Sequence, residues 1–295
     1  MIWGLDIGGT KTAFLTGTSR GEVLSRSALP TADYPDWRSL LMALLPEPGS
    51  AAAPDAIGVS CGGPLDSGRG LILSPPNLPG WDAVPITDWL SARYGAPTFL
   101  QNDANACALA EWKFGAGQGT RNMVFLTFGT GFGAGLILDG RLYSGTNDQA
   151  GEIGHVRAAE DGPLGYYKAG SFEGFCSGGG LRQLSLLRLG RDLTARELCG
   201  LARSGDPGAG AVIDESARML GRCLSLLVDL LNPQRIVIGS VFARAEDLFR
   251  GPMKEVMEKE CLSLSRSVCE VVPAQLGDSI GDLAALTVAV IGLGL

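Results

Sequence analysis

Two short stretches of this chain place a glycine-rich turn between apolar runs, and this arrangement limits the possible fold more than any other feature. Ile2 to Leu5 reads as a buried strand ended by Asp6 and turned by Gly8-Gly9, and Thr12 to Thr16 continues as a second strand. Met123 to Phe128 reads as another buried strand, followed by the turn Gly129-Thr-Gly-Phe-Gly133 and a strand from Ala134 to Leu138. The segment Gly4-Leu-Asp-Ile-Gly-Gly-Thr-Lys-Thr12 fails the G-x-x-x-x-G-K-[ST] phosphate-loop template: Thr10 separates Gly9 from Lys11, and no helix follows. The second turn matches a dinucleotide-binding pattern only loosely, because neither a helix nor a suitably placed acidic residue comes after it. Both are instead predicted to be β-hairpins in which successive backbone N–H groups form a concave anion site. An ordinary hairpin turn is the plain alternative for the first. The same context occurring twice suggests an internal duplication, although the shared segment is short.

A polar corner adds chemistry to these turns. Pro97 to Leu100 is predicted to be a strand that runs into Gln101, Asn102 and Asp103, after which an Ala-rich helix begins and is closed by Gly115. Taken alone, Asn102 and Asp103 would be helix-capping residues. Beside two phosphate-type turns, Asp103 reads as a base that takes a proton from an alcohol. Asp6, at the end of the first strand, is placed to hold the magnesium of a nucleotide directly or through water. Thr130 and its neighbouring amides are placed to hold the β- and γ-phosphates. Glu152-Ile-Gly-His155 contains the single histidine of the chain, with no thiols near enough to make a metal site. Gly145, Gly151 and Gly154 keep the backbone bare around it, which suits close approach to a polyol. With Glu173 in Ser171-Phe-Glu-Gly174, this segment supplies acceptors and a donor for hydroxyl groups.

Composition narrows the classes. At 295 residues, two domains are the better expectation. A net charge of −7 without a basic block argues against nucleic acid as partner. The 7 cysteines are dispersed without a C-x-x-C pair, which reads as reduced thiols and a cytoplasmic location. Met1 to Asp6 lacks the features of a signal peptide, and no apolar run approaches the ~20 residues a membrane span needs. A helix is expected from Trp37 to Leu45 and a strand from Ala56 to Ser60, before the turn Gly62-Gly63-Pro64. The Pro-rich run Ser74 to Trp81 is expected to lack regular structure. Asp206-Pro207 starts a helix reaching Leu231, which Asn232-Pro233 stops. Strands follow at Arg235 to Gly239 and Val268 to Pro273, and a helix from Asp278 to Leu295 closes the chain. Strands alternating with helices give an α/β class.

The order of these elements resembles the ROK family (repressor, open reading frame, kinase), whose catalytic members are sugar kinases of the actin-like ATPase (ribonuclease H-like) fold. The resemblance runs from Asp6-Ile-Gly-Gly-Thr-Lys11 through Pro76-Asn-Leu-Pro-Gly-Trp81, Asn102-Asp-Ala-Asn105 and Gly129-Thr-Gly131 to Gly151-Glu-Ile-Gly-His155. It implies ATP-dependent phosphorylation of a hexose or N-acetylhexosamine, with Asp103 as general base and Mg2+ accompanying ATP. Gly63, Asn77, Asn102, Glu152, His155 and Glu173 would bind the sugar. Gly8, Gly9, Thr10, Lys11, Gly129, Thr130, Gly131 and Gly239 would bind the nucleotide. It further implies two lobes around a cleft: residues 1–115, residues 116–278, and a C-terminal helix, residues 279–295, returning to the first lobe. A homodimer is implied as well.

Two departures from the family pattern stand out. Where members usually carry the zinc motif Cys-x-Cys-Gly-x-x-Gly-Cys, this chain has Gly165-Tyr-Tyr-Lys-Ala-Gly-Ser171, so no structural zinc is expected. The loop bearing Glu173 is expected to be held by packing of Tyr166, Tyr167 and Phe175 instead. Ile238-Gly-Ser-Val241 replaces the usual Gly-Gly pair against the nucleotide and bears on adenosine binding. The alternative reading is a catalytically weak or inactive sugar-binding regulator. Repressors of the family carry a DNA-binding element before the first hairpin, and with Asp6 so near Met1 none is expected here.

Overall fold

The computed structural model describes residues 1–50 and 52–295, which form two compact units. Unit 1 comprises Met1–Phe114, Ser144–Ala150 and Asp278–Leu295, and unit 2 comprises Gly115–Tyr143 and Gly151–Gly277. The segment Ser144–Ala150 thus belongs with unit 1 although both of its flanks belong to unit 2.

Unit 1 is built on a five-stranded sheet in the order Val23–Pro30, Lys11–Gly17, Ile2–Ile7, Ala56–Cys61, Thr98–Asn102. The first three strands run antiparallel to one another, and the last three run parallel. The parallel register sets Ile7 beside Cys61 and Cys61 beside Asn102. The carboxyl ends of three strands therefore lie in one row, the edge of an open α/β sheet where ligands bind. Alternation along Ile2–Ile7 sorts its two faces. Trp3, Leu5 and Ile7 enter one core with Phe14, Leu40 and Leu41, whereas Ile2 faces Ala285, Leu286 and Ala289 of the helix Ile280–Gly292. That helix lies almost directly on the strands. A Cβ on Gly58 would collide with the Ala285 carbonyl and the Ala289 amide, and one on Gly4 would come within 3.1 Å of the Leu286 amide.

Unit 2 repeats the plan. Its sheet runs Arg141–Tyr143, Ala134–Leu138, Met123–Leu126, Arg235–Ile238, Glu270–Pro273, again with antiparallel pairs at the start and parallel pairs at the end. The duplication suggested by two glycine turns therefore extends to five strands of matching order and sense. Helices cover this sheet. Pro207–Leu231 is capped by Asp206, whose carboxylate accepts from the Ala209 amide at 2.9 Å, and it ends at Asn232 in the left-handed region.

The remaining element ends shift for local reasons. The second turn's first strand stops at Leu126 and not Phe128, because the Thr127 amide turns to the Gly133 carbonyl at 2.9 Å. The strand at Arg235 ends at Ile238, since Gly239 caps the helix Ser240–Glu260. The strand Glu270–Pro273 starts two residues later than expected, and the C-terminal helix occupies Ile280–Gly292 after a 3-10 turn. Ser74 to Trp81 holds only turns. Among the described residues, no helix is long and apolar enough to cross a membrane.

Candidate active site

In unit 1 the carboxyl-end row assembles Asp6, the Gly62-Gly63 loop, Asn102 and Asp103. The first glycine turn closes with the Gly8 amide donating to the Lys11 carbonyl at 3.1 Å, and Thr31 braces it by donating its hydroxyl to the Gly8 carbonyl at 2.6 Å. Gly9 packs flat against Asn77, where any Cβ would collide with the Asn77 carbonyl. The turn residues and a proposed sugar contact are therefore neighbours. Gly63 faces Asn102, whose Nδ2 lies 3.4 Å from the position of a Cβ. Asn102 Oδ1 and Asp103 Oδ1 both accept from the Ala104 amide, at 3.0 and 2.8 Å, so the capping role is shared between them. Gln101 fastens the corner from behind, its Oε1 accepting from the Asn102 amide and from Asn105 Nδ2.

The electrostatics of this corner are unusual. Asp103 is open to solvent on one side, yet protein crowds its carboxyl. This burial lifts its pKa above the ordinary aspartate range, against the Ala104 N–H that pulls it down. Asp6 is pushed up to about 6, first by burial and then by the negative charges of Asp282 and Asp103, with Lys11 and Arg26 opposing. Asp282 was not legible in the sequence. It comes from the first turn of the C-terminal helix, is held by Arg26 Nε at 2.8 and 3.1 Å, and follows Gly281, whose Cβ would lie 3.0 Å from Asp6 Oδ2. A carboxylate carrying excess negative surroundings and presenting oxygen alone has the donor chemistry that magnesium takes. Asp6 fits that ion.

Beside the Gly63 loop is a cavity of about 590 Å3 lined by Pro64 to Gly68, Leu73 and Thr146 to Gln149. Asp148 clamps its two walls together by accepting from the Ser67 amide at 2.7 Å and the Ser67 hydroxyl at 2.9 Å. This contact explains why Ser144–Ala150 belongs to unit 1.

In unit 2 the second glycine turn is tied on two sides. The Gly129 amide donates to the Gly131 carbonyl at 3.1 Å, and the Gly129 carbonyl accepts from the Gly178 amide at 2.7 Å. Glu173 Oε2 accepts from the Phe132 amide at 3.1 Å and lies 2.8 Å from where a Gly131 Cβ would be. Glu173, expected on the sugar, thus also braces the turn expected to hold phosphate. Thr130 is exposed at its tip. Gly151 and Gly154 are bare for a reason other than close approach to a polyol. A Cβ on either would collide with the carbonyl of Ala134 or Phe132, so they let the Glu152–His155 turn lie on the hairpin. Glu152 and His155 are left exposed.

The two departures take definite form. Leu164–Gly165 and Lys168–Ala169 pair as a small hairpin. Tyr166 and Tyr167 are 59% and 92% exposed, so they do not hold the Glu173 loop by packing. Buried Phe172 and Phe175 do, together with the Ser171 hydroxyl that caps Phe172–Phe175. Cys176 is buried with Sγ 3.8 Å from the Ser216 carbonyl, and among the described residues no group of three or more His, Cys, Asp or Glu could hold a metal. At the other departure, Gly239 donates to the Leu126 carbonyl at 2.9 Å, and Ser240 follows with φ 52°, a conformation glycine adopts freely. The Ser240 hydroxyl lies 3.5 Å from the position of a Gly129 Cβ and so faces the second turn.

Glycine hairpins duplicated on two like sheets, with an aspartate at a strand-to-helix corner, define a sugar kinase of the actin-like ATPase fold. The chain belongs to the ROK family, whose sequence profile matches residues 2–290. It is 32% identical over 305 residues to a glucokinase of Halalkalibacterium halodurans, covering 94% of this chain and 91% of that protein. A ROK hexokinase from Thermus thermophilus superposes with a TM-score of 0.86 over 99% of both chains at 32% identity. A ROK glucokinase from Streptomyces griseus, in complex with glucose and AMPPNP, does so with a TM-score of 0.77 over 98% of both chains at 30% identity. Other relatives are named N-acetyl-D-glucosamine kinase and N-acetylmannosamine kinase.

Proposed function

We propose that this chain phosphorylates a hydroxyl of a hexose or N-acetylhexosamine with ATP, using Asp103 as the general base. The observation that carries the reading is the position of Asp103 at the carboxyl-end row, next to Asn102 and with Oδ2 4.0 Å from where a Gly62 Cβ would be, and with a pKa raised toward the working range of a base. Asp103 accepts the proton of the acceptor hydroxyl as its oxygen bonds to the γ-phosphorus. The bond to the β,γ-bridging oxygen breaks and ADP leaves. The backbone amides of Gly8 to Lys11 and of Gly129 to Gly131 hold the phosphates and take up the charge that develops on them, aided by Lys11. Asp6 would hold the magnesium that accompanies ATP, directly or through water, and that ion would supply further neutralisation of phosphate charge. Gly63, Asn77, Asn102, Glu152, His155 and Glu173 are the residues that bind the sugar in this reading. Gly239 and Ser240 border the nucleotide. The enzyme works in the cytoplasm as a homodimer, on small molecules and without nucleic acid or membrane.

A coupled assay of ADP release over glucose, mannose, N-acetylglucosamine and N-acetylmannosamine tests the reading. Release that depends on one of these sugars supports it. Sugar binding without release would favour the regulatory alternative, for which the Ser240 side chain facing the second turn is the motive.

A further inference from the structure

Tyr166 and Tyr167 occupy a position that tyrosine does not favour. The register Leu164 opposite Ala169 and Gly165 opposite Lys168 leaves them as a two-residue hairpin loop, with φ of 44° and 66°. Loops with both central residues in the left-handed region are normally Asn-Gly or Asp-Gly, because a Cβ is strained there. Burial does not offset the strain, since both rings are largely exposed. Strain that persists without a packing reason marks a place where the surroundings use the conformation.

The Tyr166 ring stands edge-on to the His155 imidazole, with centroids 6.0 Å apart and planes at 84°. The same hairpin holds the His155 backbone: Lys168 Nζ donates to the His155 carbonyl at 2.8 Å, and Arg157 donates from the following residues to the Ala169 carbonyl at 2.9 Å. His155 is itself exposed, and among the described residues neither ring nitrogen has a hydrogen-bond partner within the protein. An exposed imidazole on a short turn would rotate about its side-chain bonds. Here one aromatic edge restricts that rotation while leaving both nitrogens available to a ligand.

We propose that Tyr166 is a positioning residue that orients His155 toward the acceptor sugar, the strained turn being retained for that purpose. The inference rests on the reading of His155 as a sugar contact. In it the Tyr166 ring matters and its hydroxyl does not.

The test uses untagged protein, in which His155 is the single histidine, with the substitutions Tyr166→Phe and Tyr166→Asn. Asparagine suits the turn but removes the ring. In NMR spectra the imidazole signals of wild type and Tyr166→Phe should coincide, and those of Tyr166→Asn should move as the ring-current contribution is lost. In the coupled assay Tyr166→Asn should raise the acceptor KM roughly tenfold, the worth of one misdirected hydrogen bond. Its kcat and ATP KM should stay near wild type, its melting temperature should be no lower, and Tyr166→Phe should behave as wild type throughout. A wild-type acceptor KM in Tyr166→Asn overturns the proposal, as does a loss in Tyr166→Phe equal to that in Tyr166→Asn. A lowered melting temperature with both KM values raised alike also overturns it, because that is the mark of a structural role.

If wild type phosphorylates none of the four sugars, the proposed reaction has failed and glucose titration decides the positioning role by itself. A sugar-induced shift of the His155 signals in wild type and Tyr166→Phe, absent in Tyr166→Asn, supports it. No shift in wild type overturns it.

Discussion

Replacing Asp103 by asparagine should separate catalysis from folding. The carboxylate makes one capping bond, to the Ala104 amide at 2.8 Å, and Asn102 Oδ1 makes a parallel one at 3.0 Å. An asparagine oxygen can retain the first, and the second is untouched, so the start of the helix Asp103–Phe114 keeps its cap. The charge itself costs stability. Burial raises the Asp103 pKa in the folded chain, so its stabilising contribution is complete below the unfolded value and is lost as pH rises through the folded one. At neutral pH the charged form is a net cost, and the neutral amide removes it. The substitution also deletes one of the negative charges that hold Asp6 near 6. The melting temperature of Asp103→Asn at pH 7.5 should therefore equal or exceed that of wild type. Turnover should fall about 10²- to 10⁴-fold, the usual worth of a general base, or roughly 2.7–5.5 kcal/mol of barrier at about 1.36 kcal/mol per decade. Sugar affinity by calorimetry should change little, because Asn102 and Gly63 keep their places. Wild-type kcat/KM should decline on the acid side as Asp103 protonates, and the residual activity of Asp103→Asn should lack that limb. Near-full turnover in Asp103→Asn, or a loss of turnover matched by a lowered melting temperature, would refute this reasoning.

Asp6→Asn should abolish magnesium-dependent turnover. Because the raised pKa costs stability as pH rises from the unfolded value of 3.8 through about 6, the substitution should stabilise the protein at pH 8 and much less at pH 4, as read by thermal melting. Gly58→Ala should destabilise by about 3 kcal/mol or more, since its Cβ meets helix backbone at Ala285 and Ala289; Gly210→Ala, in open space within Pro207–Leu231, should stabilise by up to ~1 kcal/mol. Ser240→Gly should raise stability by about 0.5–1 kcal/mol by relieving φ 52°, and an unchanged or lower melting temperature would count against strain there. Chelator should leave the melting temperature unchanged in the absence of nucleotide, and elemental analysis should find no stoichiometric zinc; one zinc per chain would refute this.

The local plan of both units was legible because short-range physics fixes it. Asp206 as cap and Pro207 in the first turn settle the start of the long helix, and Asn232 in the left-handed region settles its end. Apolar runs on either side of Gly8-Gly9 and of Gly129-Thr-Gly131 leave hairpins as the only economical structure, since no helix pattern follows. Asp103 was visible as a polar residue at a strand-to-helix corner. The strand Val23–Pro30 was not visible, because its side chains are mostly exposed and carry no apolar alternation. Nor was the helix Ser240–Glu260, which contains Pro252 and a break at Ala245.

Tertiary structure alone decided what brings distant residues together. The parallel register aligns Ile7, Cys61 and Asn102, and thereby gathers into one row groups separated by long stretches of chain. Asp282 reaches Asp6 because Gly4 and Gly58 let the C-terminal helix lie on the sheet, a close approach that spacing along the chain does not encode. The raised pKa of Asp6 follows from burial and from the charges of Asp282 and Asp103, and that of Asp103 from burial. Likewise Asp148 joins Ser67, and Tyr166 meets His155, through folds of the backbone that depend on everything packed around them. Sequence determines which turns, caps and strands each segment can form, because those depend on neighbours a few residues away. Which charged groups share a site, and at what pKa, depends on contacts across the whole chain, and only the packed structure specifies them.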